Sequence, residues 1–352
     1  MTQIFLIGGT GHIGGAVLQK IVENHPDASV IVLVRDDQKA QRLVSKYPQV
    51  KPLIGDLKSF DLIEAASLEA DILINTAPDI THDKAIESAI NGLTARSAKG
   101  YYIHTSGASI IWDEPEGSRE ARTWDDVADI QDLTAMELNK THSVTDKLVR
   151  KAAADVNVAI ISPGFVGGMS SSIEHPTPIT TPGIVLTARA FKTGFLIAQG
   201  ENEHAWIHVE DLANMYLLLV EKALASDQSC WGKEAYYFGA TENITFSDAM
   251  HSLAPVLLKH GVIDSTKMQS VDAMVAAKAS MYGDSYTEEM VPPAADSWAM
   301  HMAILFGINM RLRATGMTKL GWKPQKGPIV GTFNEVLSSF LRAEREAADK
   351  DK

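Results

Sequence analysis

The chain has 352 residues, 45% of them hydrophobic and 22% charged, with a formal net charge of −12. That suffices for one large α/β domain with an appended part, or for two domains, and it excludes wholesale disorder. The acidic balance argues against a nucleic-acid surface, which needs clustered Lys and Arg. A single cysteine, Cys230, rules out an intrachain disulfide and a cysteine zinc site. No run reaches the ~18 apolar residues of a membrane helix. The N-terminus enters an apolar strand directly, without a basic leader, so a cytoplasmic protein with a small-molecule partner and no membrane partner is expected, with a homodimer as one open oligomeric state.

The first element is the most informative. Ile4–Ile7 runs into Gly8, Gly9, Thr10, Gly11, His12, Ile13 and Gly14, and the amphipathic stretch Ala16–Val22 follows. Strand, glycine turn and helix in this order form a dinucleotide-binding pattern. Gly8 permits the tight turn, Gly11 lets backbone approach a pyrophosphate, and Gly14 lets helix and strand pack closely, with Thr10, His12 and Ile13 between them at the helix N-terminus.

Strand-like runs then alternate with helical ones. The strands are Val30–Val34, Val50–Ile54, Ile72–Asn75, Tyr101–His104 and Val158–Ile161. The helices are Gly14–Asn24, Gln38–Tyr47, Leu57–Leu68, His82–Lys99 and Asn139–Asp155. This alternation predicts an α/β fold with a doubly wound parallel sheet, in which ligands bind beyond the carboxyl ends of the strands. Each strand end accordingly offers candidates. Arg35 suits a 2′-phosphate, which favours NADP(H) over NAD(H), unless it pairs with Asp36 or Asp37. Asp56 and Leu57 are placed for the adenine, and Thr76, Ala77 and Pro78 for the middle of the cofactor. The hydroxyl-rich turn with Ser106 and Ser109 falls at the substrate position, and Pro163 and Phe165 pass the nicotinamide.

The second half reads as helices over Ile184–Gly194, Leu212–Ala225, Phe246–His260, Asp272–Met281, Ala294–Phe306 and Ile329–Arg342, with a polar loop at Pro176–Pro182. The expected division is a cofactor domain over 1–165, completed by segments around 195–240, then a substrate-covering part over 166–342 and a charged, fraying tail over 343–352. Asp211 is expected to cap a helix. Trp112, Tyr282 and Trp298 line either an apolar pocket or the core. His175, His204, His301 and Glu174 lack metal-ligand spacing, so no metal is expected.

These landmarks together resemble the short-chain dehydrogenase/reductase superfamily in its extended, atypical branch. GGTGHIG (8–14), GDL (55–57), DILINTA (71–77), HTSGAS (104–109), ISPGFVGG (161–168), WIHVEDLA (206–213) and GWKP (321–324) fall in that family's order and span nearly the whole chain. The resemblance implies a Rossmann fold with a smaller, mainly helical C-terminal part over the cofactor, as in sugar-nucleotide epimerases and their relatives. It also shows a departure. Family members carry Tyr-x-x-x-Lys on the helix before the sixth strand, and this chain has no tyrosine there.

Alignment of the flanks places His142 at the Tyr position and Asp146 at the Lys position, with Ser143 and Lys147 sharing the same spacing. The usual third hydroxyl of the turn is Gly107. His142 is therefore expected as general acid/base, oriented by Asp146. No clear basic cluster clamps a diphosphate; Arg189, Arg311 and Arg313 are the candidates, which points to a non-nucleotide substrate. Three functions remain open: an NAD(P)-dependent oxidoreductase, a non-redox isomerase, dehydratase or cyclase, and an NmrA-like NADP sensor without turnover.

Overall fold

The computed structural model describes residues 1–136 and 141–350. The first half alternates strand and helix: β1 (Gln3–Ile7), α1 (His12–Asn24), β2 (Ser29–Val34), α2 (Asp37–Lys46), β3 (Lys51–Ile54), α3 (Phe60–Glu69), β4 (Ile72–Asn75), α4 (Asp83–Thr94) and β5 (Tyr101–Thr105). After β6 (Thr123–Asp125) and α5 (Ile130–Thr134) come α6 (Ser143–Lys151), β7 (Asn157–Pro163), β8 (Phe165–Gly167) and α7 (Thr181–Phe191). Then follow β9 (Thr193–Ile197), β10 (Glu203–His208), α8 (Val209–Leu224), β11 (Tyr236–Gly239), β12 (Glu242–Thr245) and α9 (Phe246–Lys259). The chain closes with β13 (Ser265–Val271), α10 (Ala273–Tyr282), α11 (Trp298–Gly307), β14 (Arg311–Arg313), α12 (Thr315–Lys319) and α13 (Phe333–Lys350).

Seven strands form one sheet in the order β11-β7-β5-β4-β1-β2-β3, and each neighbouring pair is parallel. The central strands read as apolar runs because helices cover both faces: Ile4, Phe5, Leu6, Leu73, Ile74 and Ile103 are fully buried. Strand β3 at the edge carries exposed Lys51 and Ile54 instead. From β1 the chain winds outward to β2 and β3, then crosses back to β4, β5 and β7. The crevice between β1 and β4 is thus the topological switch point, where such sheets bind ligands.

The segment after β8 differs from the expected division. Helix α8 packs on α1, β11 joins the large sheet, and α12 lies against β11. Strands β9 and β10 instead enter small separate sheets, β13-β9 and β12-β10-β8, which with α7, α9, α10, α11 and α13 build the second part. Nor is 343–352 a separate tail as far as Lys350: α13 runs continuously to that residue, and Glu344 ties it to Arg189 on α7. Asp36 caps α2 by accepting from the Lys39 amide.

Candidate functional site

The glycine turn has the geometry that its residues require. Gly8 has φ +86°, a conformation that side chains rarely adopt. A Cβ at Gly14 would stand 2.1 Å from the Gly8 carbonyl and 2.5 Å from Thr76 Oγ1. The Gly11 amide donates to Gly8 O, and the first α1 bond runs from Gly15 N to Gly11 O. Gly11 caps α1 without a side-chain bond, so the amides of His12, Ile13 and Gly14 precede that first bond at the positive end of the helix. This cradle, open only because no Cβ fills it, fits the pyrophosphate of a dinucleotide. It is backed from β4 by Thr76, whose hydroxyl donates to Ile7 O, and by Ala77, whose amide is held by Asn75 Oδ1; Pro78 beside them is exposed. Thr10 contributes its carbonyl, which accepts from Ser172 Oγ.

At the adenosine end, Arg35 is exposed at the end of β2 and forms no ion pair among the described residues. Asp36 is occupied with its cap instead. Asp56 closes its own turn, accepting from Lys58 N and Ser59 Oγ, with Leu57 half-buried beside it. On the other flank, Pro163 ends β7 buried, and Phe165 packs edge-on against His204 at 4.5 Å and tilted against Trp206 at 5.0 Å. Phe165 therefore faces the second part of the molecule.

Residues 168–176 lie across the glycine turn. Ser170 Oγ donates to His12 O, Ser171 Oγ to Gly15 O, and Ser172 Oγ to Thr10 O. Glu174 pairs with Arg42 at 2.6 Å on α2, with Lys39 at 3.9 Å. The His12 ring meets the His175 carbonyl, and burial lowers its pKa to about 4.

The catalytic candidates lie beyond β4, β5 and α6, in an arrangement that corrects the expected one. His142 is not within the helix. It is the residue before α6, with φ +68°, and the first two residues of the expected helix, Asn139 and Lys140, lie outside the described residues. A left-handed residue takes its side chain off the helical path, so the i,i+4 spacing does not bring His142 to Asp146. The His142 ring turns to Asp79, with Nδ1 2.8 Å from both carboxylate oxygens. Thr145 Oγ1 donates to Asp79 Oδ2 as well.

The other edge of the ring has no hydrogen-bond partner among the described residues and lies toward Gly107. His142 Nε2 stands where a Cβ of Gly107 would be, 2.5 Å away. The missing third hydroxyl thus makes the room into which the imidazole reaches. Burial weighs most on His142 and would lower its pKa, but the Asp79 hydrogen bond and charge, with Asp146 adding, raise it above the ordinary value. For Asp79, burial is again the largest influence and acts upward, yet the neighbouring His104 and the hydrogen-bonded His142 hold it well below the usual carboxylate range.

Ser106 also differs from expectation. Its hydroxyl donates to Asp146 Oδ2 at 2.9 Å, beside the Tyr236 hydroxyl at 3.2 Å, so it supports Asp146 rather than facing a substrate. Ser109 is buried in the 3-10 turn Ala108–Ile111. Asp146 is buried, and burial pushes its pKa up to about 6 despite the nearby His104 and His142.

Ligand atoms of Asp79, His104 and Asp146 come within 4.8 Å of one another, a grouping that spacing could not reveal. Asn75 Nδ2 donates to the Tyr102 oxygen, and the Tyr102 hydroxyl lies 3.1 Å from His104 Nδ1. With the Tyr102 proton on that bond, the imidazole proton sits on Nε2, facing the two carboxylates, with Asp79 Oδ2 3.7 Å away. This polarity suits shared protons; a metal would need that lone pair.

Asp211, expected as a helix cap, plays another part. His208 caps α8 through Nδ1, and Asp211 accepts from the amides of Gln325 and Lys326, fastening the segment after GWKP.

Comparison with known proteins agrees with this picture. Residues 4–95 match the Saccharopine dehydrogenase NADP binding domain. Oxidase ucsJ of Acremonium sp is 25% identical, over 95% of this chain and 96% of its own length. UDP-glucose 4-epimerase from Thermotoga maritima, solved with UDP-glucose, has TM-score 0.63 at 14% identity over 97% of this chain and 99% of its own. dTDP-glucose 4,6-dehydratase from Bacillus anthracis, solved with NAD, has TM-score 0.64 at 11% identity over 98% of both chains. No helix among the described residues is long and apolar enough to cross a membrane. The chain thus carries the Rossmann-type α/β fold of these solved structures, with a helical C-terminal part.

Proposed function

We propose that the protein is an NADP(H)-dependent oxidoreductase acting on the carbonyl or alcohol of a small, non-nucleotide molecule, with His142 as its proton-handling residue. The observation that carries this reading is the Asp79–His142–Gly107 arrangement. Asp79 fixes the ring through Nδ1 and leaves Nε2 over the vacant Cβ position of Gly107, at the carboxyl end of β5.

The bound cofactor supplies or accepts the hydride. In reduction, the carbonyl carbon gains the hydride, and the carbonyl oxygen takes the proton from His142 Nε2. His142 is left neutral, with Nδ1–H still on Asp79; oxidation is the reverse. Asp79 stabilises the imidazolium without itself taking the proton, because its pKa is held so low. Tyr236, Ser106 and Thr145 fix the two carboxylates behind the ring.

Exposed Arg35 supports NADP(H) over NAD(H), since a 2′-phosphate there gains a guanidinium that no carboxylate occupies. The non-nucleotide substrate is supported by the three basic candidates of the second half. Arg189 pairs with Glu344, Arg311 with Glu203, and Arg313 lies 4.0 Å from Asp125.

A non-redox reaction is the second reading, because the helix position that holds a lysine in the family carries a buried carboxylate, Asp146. The test is NADPH oxidation with a panel of carbonyl compounds, and NADP⁺ reduction with the matching alcohols. Turnover that disappears in His142→Ala establishes the redox reading. Tight NADP⁺ binding without turnover on any member favours the isomerase or sensor reading.

A further inference from the structure

One aromatic group beside His142 takes no part in the chemistry above. Trp112 follows directly on the 3-10 turn Ala108–Ile111 and so lies just past Gly107, the residue under His142 Nε2. Its ring meets His301 edge-on at 5.3 Å and 71°. His301 lies on α11, and the first residue of that helix, Trp298, stacks on it at 5.6 Å and 21°. Tyr282, grouped with these aromatics from sequence, sits elsewhere, donating to Val291 O at the end of α10.

Two features separate this trio from ordinary core. Trp298 is 51% exposed, a large apolar face left in water at the start of an otherwise apolar helix. The His301 ring nitrogens have no hydrogen-bond partner among the described residues, though the ring is packed between two indoles. His142 is close enough for its charge to act on His301, which burial and that charge together keep neutral.

We infer that Trp112, His301 and Trp298 form a stacking subsite for a planar, conjugated carbonyl compound, whose ring lies on the exposed indole while its carbonyl reaches His142. Indole faces attract flat π-systems in offset or edge-on contact, and a saturated ring of the same size gains only its apolar area. The neutral imidazole offers a hydrogen bond to a ring substituent. The inference rests on the proposed location of the reacting carbonyl, and it names the substrate class for that site.

The test compares acetophenone with cyclohexyl methyl ketone, which differ in planarity and conjugation but little in size. Dissociation constants are measured by calorimetry on the NADP⁺-loaded protein, and KM by NADPH oxidation. The wild type should bind acetophenone more tightly, and Trp298→Ala should weaken acetophenone by about 2- to 10-fold more than it weakens the cyclohexyl ketone. Trp298→Phe should keep most of the preference, which guards against a folding artefact. Equal affinity of the wild type for the two ketones would overturn the inference, as would an equal loss for both in Trp298→Ala. Calorimetry reads the subsite even without turnover, so a failed redox reaction and a failed subsite give different results.

Discussion

The two ends of the site are built on opposite plans. At the cofactor end the work is done by backbone: a turn at Gly8, a close approach at Gly14 and the first amides of α1, all within one short stretch. At the reacting end it is done by four side chains from three separate places. Asp79 follows β4, His104 lies in β5, and His142 and Asp146 flank the start of α6. The backbone device tolerates no added atom and hardly senses pH. The side-chain device tolerates substitution as a fold, but every change alters its protons. The same molecule thus holds one ligand by shape and treats the other by charge.

That contrast can be broken most forcefully at Gly14. Valine there would set a Cβ 2.1 Å from the Gly8 carbonyl, so turn and helix must part. Binding of NADP⁺ should fall below detection by calorimetry, with a stability loss of about 1–3 kcal/mol from overpacking. A folded Gly14→Val protein that still binds would show the turn to be structural only.

At the other end, His142→Ala should lower turnover by roughly 10²- to 10⁴-fold with NADP⁺ affinity nearly unchanged. Asp79→Asn sharpens this through pH. Asp79 raises the pKa of His142 against burial, and Asp146, His104 and His301 face the same region. Reduction needs the protonated ring, so the rate should fall as pH rises through that raised value, above 6.5. Without the Asp79 charge, only Asp146 still opposes burial, and the alkaline limb should move to lower pH, with a loss of roughly 10-fold or more at pH 8. An unshifted limb would remove Asp79 from its role.

Asp146 gives a smaller effect, on stability rather than rate. Its folded pKa, about 6, lies above the ordinary 3.8, so the folded state favours the protonated acid. The stability so gained is complete below pH 3.8 and is lost as pH rises through about 6, to a ceiling of about 3 kcal/mol. Asp146→Asn mimics the protonated form and should flatten that part of the melting-temperature profile; an unchanged slope would assign it to other groups. The smallest change is expected at exposed Arg35. Its replacement by Ala should reduce the preference for NADP⁺ over NAD⁺ by about 10-fold in titration. A wild type without preference would end the NADP assignment.

The same contrast explains what could be read from the sequence. The glycine turn is local, and its residues declare its shape. Six strands of the large sheet were legible because buried parallel strands such as Phe5–Ile7 and Leu73–Ile74 are continuous apolar runs; the seventh, β11 (Tyr236–Gly239), was not named as a strand. Strand β13, Ser265–Val271, reads STKMQSV and lies largely exposed, so it carries no such signal. Strands β6, β8 and β14 are three residues long and paired only by tertiary contacts. His142 was expected within a helix but stands just before it. Spacing named Asp146, but the left-handed backbone at His142 turned the ring to Asp79, 63 residues away. Nothing in a His before a helix announces a positive φ, and no periodicity links it to a loop after β4.

The serines over the glycine turn bear on how the molecule comes apart. Ser170, Ser171 and Ser172 each donate to a carbonyl of the turn or the first turn of α1. The start of the second part is thereby tied to the glycine turn of the first. Loosening residues 168–176 leaves three carbonyls without their donors in the stretch that carries the pyrophosphate cradle, and loosening α1 leaves three hydroxyls, two of them buried, without their acceptors. The two halves therefore melt together rather than in turn. In native-state hydrogen exchange the first amides of α1 and those of 168–176 should open as one cooperative unit.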